Sequence, residues 1–235
     1  MQDKSEKNGK CEQCIIRQFS TLKALTKDEL IRISGCKTSK TIKKGEVLFE
    51  EGEHINGIFC IKDGICKVSK MSDNGREQII HLIKKGDTLG ERSLINNEVS
   101  NLKAIAINNM EVCFIPKDEI IKDLQNNANF SMDMLKNMAS SLKNADNFIV
   151  DMAQKTVKQR LASTLLYLDQ KFDKTQEGAI DLGLSREDFA NIIGTATESA
   201  IRLLSDFKKK KLINLKGKQV FINDIPGLKQ IAQGF

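Results

Sequence analysis

The hydrophobic pattern of the chain changes abruptly at Pro116, and this change limits the folds that the sequence can adopt. Between Thr38 and Val112, short apolar runs alternate with glycine turns, which is typical of the strands of a barrel or sandwich. After Pro116 the apolar residues follow a helical period. We therefore predict an α+β protein in which a jelly-roll-like barrel or sandwich of strands precedes a long helix and a helical C-terminal part.

Five segments of the first part have the strand pattern, and turn signals separate them. The strongest turn signal is Ser72-Asp73-Asn74-Gly75, because Asn and Gly adopt the backbone angles of tight hairpins. A short helical segment is predicted over Leu22–Leu30, ahead of the first strand. The predicted strand segments are TIKKGEVLFEEG, GIFCIKDGICKVSKM, REQIIHLIKKGD, NLKAIAI and MEVCFIP.

Length and composition favour an intracellular protein with a core of its own. The chain has 235 residues, of which 40% are hydrophobic and 29% charged, so bulk disorder is not expected. No apolar run approaches the roughly 20 residues that span a bilayer, and the polar start MQDKSEKNGK lacks an apolar signal segment. We predict a cytoplasmic protein without a membrane partner, whose six cysteines are reduced thiols or metal ligands.

Positive charge is concentrated in the C-terminal third of the chain. Residues 153–235 contain 14 Lys and Arg against 9 Asp and Glu, which accounts for +5 of the net charge of +6. This asymmetry indicates a polyanionic partner for this part of the chain. A solvated lysine-rich surface would give the same count, so charge alone leaves both interpretations open.

A narrow apolar stripe runs along the segment SMDMLKNMASSLKNADNFIVDMAQ. Its members recur with the spacing of a heptad seam, and polar residues such as Lys136, Lys143 and Asp151 occupy the other faces. A parallel homodimer helix fits this stripe, and a helix packed on its own domain is the alternative. The seam consists of Leu135, Met138, Leu142, Ala145, Ile149 and Met152.

Two short helices and a hairpin are predicted near the C-terminus. Ser185 is the expected N-cap of the helix REDFANIIG, which stops at Gly194. Thr195 begins an S/T-x-x-E capping box for the second helix, TESAIRLLSDFKKKK. Helices joined across a glycine turn form a helix-turn-helix. The hairpin of LINL and QVFIN carries Lys216 and Lys218 at its tip, where a wing would touch phosphate.

The second helix of such a unit presents its N-terminal residues to base edges. We therefore expect Thr197, Glu198, Ile201 and Arg202 to contact double-stranded DNA, with Arg202 donating to guanine and Glu198 accepting from cytosine. Taken singly, Glu198 also fits a helix cap and Arg202 a solvated arginine. The combined unit is more specific than any one of its parts.

These segments resemble the Crp/Fnr family of bacterial transcription regulators, and the resemblance covers almost the whole chain. LSREDFANIIGTATESAIRLLSDFKKKKLI is similar to the family's winged helix, while KKGEVLFEEG, GIFCIKDGICKV and KKGDTLGE are similar to its cyclic-nucleotide-type β-roll. The resemblance implies a homodimer on a two-fold symmetric DNA site, with half-sites roughly 34 Å apart. It also implies RNA polymerase as a partner.

The resemblance and the change of period together give domain boundaries. A signal read near the N-terminus or by the β-roll would change the packing of the heptad seam and reorient the recognition helices. The predicted parts are a cysteine-containing arm over residues 1–20, a β-roll effector domain over 21–128, a dimerisation helix over 129–152 and a winged helix-turn-helix domain over 153–235.

The family's recognition helix has an E-x-x-(S/G)-R pattern. Glu198 and Arg202 match this pattern, whereas Ile201 departs from it and offers only an apolar contact, for instance to a thymine methyl group. The resemblance therefore implies a TGA-type core in each half-site.

The family's nucleotide-binding members hold their ligand with a Gly-Glu pair and a later Arg-Ser/Thr-Ala. Gly90 and Glu91 match the pair, but Ser100 and Asn101 stand where the later motif begins, so that motif offers no guanidinium to a cyclic phosphate. Arg92 lies nearby at another position, and Glu91 also fits a simple helix cap. These five residues form the candidate effector pocket, but cyclic AMP in the ordinary mode is not expected.

The oxygen-sensing branch of the family holds a 4Fe–4S cluster with an N-terminal C-x2-C-x5-C and a further Cys just before an I-P pair. Cys11, Cys14 and Cys113 match three of these positions, and Ser20 stands at the other. The resemblance thus implies an iron–sulfur cluster with three of its four ligands in place. Candidates for the fourth ligand are Cys36, Glu12, Asp28 and a ligand from outside the chain.

Other interpretations compete with this one. A thiol or disulfide switch at Cys11 and Cys14 would also sense redox state, and Cys60 and Cys66 lie in strand-like runs where cysteine is a small buried hydrophobe. We predict no haem at His54 or His81, the only histidines. An enzyme is not expected, because the sequence has no nucleophile–base pair, HExxH or phosphate-cradling glycine loop. A cyclic-nucleotide-binding module that does not act on DNA would explain the β-roll but not the lysine-rich wing.

Overall fold

The computed structural model describes residues 10–234, which fall into two compact units. The first unit consists of residues up to Lys70 together with His81–Leu142, and the second of Met71–Ile80 together with Lys143–Phe235. The first nine residues of the predicted N-terminal arm lie outside the described residues. Helices and strands both contribute to each unit, so the predicted α+β class is confirmed.

Eight strands build the β-roll. They are β1 (Thr38–Ile42), β2 (Val47–Phe49), β3 (Gly57–Asp63), β4 (Ile65–Met71), β5 (Glu77–Lys84), β6 (Thr88–Leu89), β7 (Lys103–Ala106) and β8 (Met110–Pro116). One sheet has the strand order β1-β8-β3-β6 and the other β2-β7-β4-β5. The predicted turn at Ser72–Gly75 joins β4 to β5, and the backbone N–H of Gly75 donates to the carbonyl of Ser72.

Short helical segments surround the sheets of the first unit. They are three 3-10 turns (Cys11–Gln13, Ile15–Phe19 and Thr21–Ala24), α1 (Lys27–Cys36), α2 (Glu91–Asn96) and α3 (Lys117–Asn126). The predicted helical segment over Leu22–Leu30 is correct only in part, because a 3-10 turn ends at Ala24, the chain is extended at Leu25 and α1 begins at Lys27. Thr26 sets this start through a capping box with Glu29, in which each side chain bonds to the backbone of the other residue.

The first unit has two apolar clusters on opposite faces of one sheet. Ile58 and Ile115 pack with Leu22, Leu30 and other residues of the helical layer. Their strand neighbours Ile61 and Val112 pack inside the roll with Cys66 and Phe49. Because side chains alternate along a strand, β3 and β8 contribute to both clusters. Both faces of this sheet are therefore buried.

The long helix α4 (Ala128–Gln154) leads into the second unit. It contains the whole predicted dimerisation helix and extends it by one residue at the start and two at the end. The remaining elements are α5 (Val157–Lys171), α6 (Arg186–Ile193), α7 (Thr197–Lys209), β9 (Ile213–Lys216), β10 (Gln219–Ile222) and α8 (Ile225–Gln233). The predicted helices on either side of Gly194 and the predicted hairpin are confirmed, and α8 is an addition to them.

Candidate DNA-binding and sensory sites

Local signals place the two helices of the helix-turn-helix. The side chain of Ser185 caps α6 by accepting from the backbone N–H of Asp188, and Asp188 accepts from the Ser185 backbone in return. Gly194 ends α6 in the left-handed conformation, at a φ of 64° that favours glycine. Both predictions from the sequence are confirmed.

The predicted capping box at Thr195 is wrong, although α7 begins at Thr197 as expected. The N-cap is Ala196 rather than Thr195, and its side chain makes no capping hydrogen bond. The backbone N–H of Thr195 donates instead to the carbonyl of Ala190, so Thr195 still belongs to the end of α6. Glu198 is therefore not engaged in a capping box.

The helix α7 has one buried and one exposed face. Ala200, Leu204 and Phe207 are fully buried. On the other side, Glu198 and Arg202 are exposed and Ile201 is 44% exposed, while Thr197 is half-buried. The guanidinium of Arg202 makes only a long 3.4 Å hydrogen bond to the Ser199 hydroxyl. The predicted base-reading residues thus share one end of the helix and point outward, although their role in reading bases stays a prediction.

The wing is a tight hairpin with a basic tip. Lys216 and Gln219 are paired across β9 and β10, with Gly217 and Lys218 in the turn. Both lysines are exposed, although the Nζ of Lys218 donates to the Gly183 carbonyl at 3.2 Å. Arg186, the first residue of α6, donates to the carbonyl of Gly217 at 3.0 Å. This bond ties the wing to the helix-turn-helix, so the two parts form one surface.

The predicted heptad seam on α4 is uncovered within one chain. Leu135, Leu142 and Ile149 are 60%, 65% and 64% exposed, respectively. The alternating seam residues Met138, Ala145 and Met152 are half-buried. Large apolar side chains with this exposure normally mark a contact with another molecule. The alternative of a helix packed over its whole length on its own domain does not fit these exposures.

The candidate effector residues do not assemble an ordinary cyclic-phosphate site. Gly90 is the N-cap of α2 at a φ of 101°, and Glu91 is the first residue of that helix. The hydroxyl of Ser100 donates to the Leu102 carbonyl at 2.7 Å, so it is already used. Arg92 and Asn101 are exposed. The positions of the family's Arg-Ser/Thr-Ala motif thus offer no cation that would pair with a phosphate.

Glu91 is a buried carboxyl with an unsatisfied atom. Its Oε1 has no hydrogen-bond partner among the described residues. Burial raises the pKa of Glu91, and bonds from Thr88 and from its own backbone oppose that rise only in part. A raised pKa favours the neutral form of the side chain.

Four of the six cysteines line one cleft between the N-terminal 3-10 turns and the sheet. The cleft has a volume of about 470 Å³ including its open mouth, and apolar side chains such as Leu22 and Ile115 form most of its wall. The four cysteines at the cleft are Cys11, Cys14, Cys60 and Cys113. The predicted ligands Cys11, Cys14 and Cys113 are therefore brought together from opposite ends of the β-roll sequence.

The other candidate ligands are placed differently. Ser20 lines the cleft, but its hydroxyl donates to the Arg17 carbonyl and accepts from the Leu22 backbone. Glu12 accepts from the Ser34 hydroxyl at 3.1 Å, and neither Glu12 nor Cys36 is part of the cleft wall. Asp28 is exposed at the start of α1. The sequence-based choices for a fourth ligand thus have other partners or other positions.

The donor chemistry of the cleft fits an iron–sulfur cluster, which thiolates hold. Within residues 10–234, no three His, Cys, Asp or Glu side chains are grouped closely enough to hold a single metal ion. A cluster would bind to the sulfur atoms of these residues and would supply one-electron chemistry.

These features define a class of protein, namely a DNA-binding regulator in which a sensory β-roll is connected through a long helix to a winged helix-turn-helix. No helix in the described part of the chain is long and apolar enough to cross a membrane. Two family models match in the same order, the cyclic nucleotide-binding domain over residues 39–127 and the Crp-like helix-turn-helix domain over residues 159–231. The chain belongs to the Crp/Fnr family of transcription regulators, and the prediction that it is not an enzyme is confirmed by that membership.

Individual relatives agree with this assignment. The chain is 29% identical to the anaerobic regulatory protein of Haemophilus influenzae, over 94% of this chain and 87% of that protein. It is 28% identical to the fumarate and nitrate reduction regulatory protein of Escherichia coli K12, over 94% and 90%. The solved structure of FixK2 from Bradyrhizobium japonicum has a similar fold, with a TM-score of 0.76 at 22% identity over 83% of this chain and 96% of that one.

Proposed function

We propose that the protein acts as a homodimer on a palindromic DNA site and that its β-roll unit reads a redox signal through cysteine thiols. The observation that carries the DNA-binding part is the exposed face of α7, where Glu198 and Arg202 lie beside a basic wing. The uncovered seam on α4 supports the dimer. A cytoplasmic location and RNA polymerase as a partner are parts of the same proposal.

Sequence-specific binding can be tested by fluorescence anisotropy with a duplex that carries two TGA-type half-sites one helical turn apart. We expect Arg202→Ala to weaken binding about ten- to hundred-fold, because a bidentate contact to guanine is lost. The matched control is Arg92→Ala, which removes an exposed positive charge from the first unit. Equal affinity of wild type and Arg202→Ala for the palindrome, or no preference over a scrambled duplex, would refute the proposal.

The dimer can be tested with a charge placed in the seam. Leu142→Glu puts a carboxylate on the exposed stripe, whereas Lys143→Glu adds the same group to the next exposed position, off the seam. Because each buried leucine contributes about 1.5–3 kcal/mol, we expect Leu142→Glu to sediment as a monomer at concentrations where Lys143→Glu remains a dimer. A dimer of unchanged affinity in Leu142→Glu would contradict the assignment of the seam.

The redox part rests on the thiols of the cleft and on the names of two relatives, an anaerobic regulatory protein and a fumarate and nitrate reduction regulatory protein. We propose an iron–sulfur cluster on Cys11, Cys14 and Cys113 as the sensing group. Anaerobic purification followed by iron and sulfide analysis and a visible spectrum tests it. A colourless protein free of iron after anaerobic reconstitution would instead favour a thiol switch at Cys11 and Cys14.

A second candidate is a cyclic-nucleotide module that does not act on DNA. The match to the cyclic nucleotide-binding domain favours it, whereas the Crp-like helix-turn-helix match does not. We expect no binding of cyclic AMP by calorimetry, because the site lacks a cation for the phosphate. Micromolar binding of cyclic AMP without specific DNA binding would favour this candidate.

A further inference from the structure

The side chain of Cys60 faces the N-terminal layer rather than the interior of the β-roll. On β3, the residue two positions earlier is Ile58, which packs in the same cluster as Cys11. Cys60 packs against that cluster, whereas its neighbours Phe59 and Ile61 pack on the other face of the sheet. The interpretation of Cys60 as an interior hydrophobe is therefore incomplete, because this thiol is part of the cleft wall.

Strand register places Cys60 beside a predicted ligand. Cys60 and Cys113 are direct cross-strand partners on β3 and β8, so their side chains leave the same face of the sheet at adjacent positions. The two sheet cysteines and the two cysteines of the 3-10 turns meet across one cleft. By contrast, Cys66 lies in the interior cluster, and Cys36, whose thiol donates to the Ile33 carbonyl, is not one of the residues that line the cleft.

The charges around the cleft favour an anionic group. Arg17, Lys37 and Lys62 contribute to its wall together with the carboxylate of Asp87, and Lys62 is paired with Glu111 at 3.1 Å. The Nε of Arg17 is buried without a partner among the described residues.

We infer that Cys60 is the fourth thiolate ligand of a 4Fe–4S cluster, in the place that Ser20 leaves without a sulfur. This inference rests on the proposed redox function, and it names the ligand set of that site as Cys11, Cys14, Cys60 and Cys113. Two ligands would come from the N-terminal turns and two from the sheet.

The test is a comparison of full-length variants after anaerobic reconstitution with iron and sulfide. Wild type should hold about four iron and four sulfide atoms per chain and show a broad visible absorbance. We expect Cys60→Ala and Cys60→Ser to retain less than half of the iron and to lose the spectrum. The matched control Cys36→Ser, which changes a half-buried thiol outside the cleft, should load as wild type does.

Alkylation of the cysteines in the native wild-type protein provides a second measurement, which does not depend on whether a variant folds. In the loaded protein Cys60 should be protected from iodoacetamide together with Cys11, Cys14 and Cys113. Removal of iron with a chelator should expose all four in parallel, while Cys36 should label at the same rate before and after.

Each outcome separates this inference from the function on which it rests. If Cys60→Ala keeps the wild-type iron, sulfide and spectrum, or if Cys60 labels equally with and without iron, Cys60 is not a ligand although the cluster stands. If wild type binds zinc alone and stays colourless, or holds no metal, both the inference and the proposed cluster fail. The proposal of specific DNA binding, which rests on α7 and the wing, would stand in either case.

Discussion

Arg160 joins the ends of two helices in the second unit, and its removal gives the most direct test of how that unit is held together. From α5 its Nε donates to the Ile193 carbonyl and its Nη1 to the Lys155 carbonyl, both at 2.7 Å. Longer bonds of 3.3 Å reach Met152 and Gly194. The C-terminal ends of α4 and α6, which carry unpaired carbonyls and the negative end of the helix dipole, thus converge on one guanidinium.

The expected cost of Arg160→Ala follows from these bonds. A hydrogen bond to a charged group contributes about 1.5–3 kcal/mol, and because Arg160 is half-buried we take the lower value for each of the two short bonds. The two long bonds add little. We therefore expect Arg160→Ala to lower the free energy of unfolding by about 3 kcal/mol. Arg160→Lys should recover only about one third of it, since an ammonium group keeps the charge but cannot reproduce the planar fork.

Hydrogen exchange measures this effect locally, which is necessary because a chain of two units need not unfold in one step. We expect the amides of α6 to exchange about 100-fold faster in Arg160→Ala than in wild type. Lys158→Ala is the matched control, because it removes another positive side chain from α5. Exchange of α6 within twofold of wild type in Arg160→Ala would refute the idea that this guanidinium couples α4 to the helix-turn-helix.

Three further predictions concern single substitutions elsewhere in the chain. Because the pKa of Glu91 is raised by burial, its stabilising contribution is complete below the ordinary value of 4.5 and is lost as the pH rises through the folded-state pKa. Glu91→Gln should therefore raise stability by about 1 kcal/mol at pH 7, with a smaller gain at pH 5 in urea titrations. Arg32→Ala removes the partner of the fully buried Asp123 and should lower the free energy of unfolding by about 3 kcal/mol at pH 7. A loss below about 1 kcal/mol in the same urea titrations would show that this ion pair is not needed for stability. Gly194→Ala places a Cβ in a left-handed position against the Met152 methyl group and should cost about 1–2 kcal/mol, read from the melting temperature.

The parts of the fold that were predicted correctly depend on local signals. Ser185 caps α6 and Gly194 ends it because a hydroxyl at the start and a left-handed glycine at the end act within one helical turn. The errors arose where two local signals competed. Thr195 had the capping-box spacing, but its N–H was already bound by the end of α6. At Leu22–Leu30 the capping box of Thr26 divided a segment that looked continuous.

Arg160 could not have been identified from sequence, because its role depends on where two helices end in space. The arginine in TVKQRLASTLLYLDQKF has the pattern of a solvated side chain. Nothing in that segment indicates that the carbonyl groups of Ile193 and Gly194, which follow it by 33 and 34 residues, accept its hydrogen bonds. The hydrogen bond from Arg186 to the wing could not be predicted either, since its acceptor, Gly217, lies 31 residues further along the chain.

The face of the sheet on which Cys60 lies could not be predicted for a different reason, which is that both faces of the sheet are buried. Where one face of a strand meets water, alternation of polar and apolar residues reveals which side chains point inward. Both faces of β3 are covered, since Ile58 and Ile61 are each buried in a different cluster, so its apolar run has no such alternation. The register of β3 against β8 determines which face of the sheet Cys60 lies on. If that register shifted by one residue, the Cys60 side chain would point into the roll and away from Cys11. The proposed four-thiolate site is therefore a consequence of strand register, and spacing of cysteines along the chain could not disclose it.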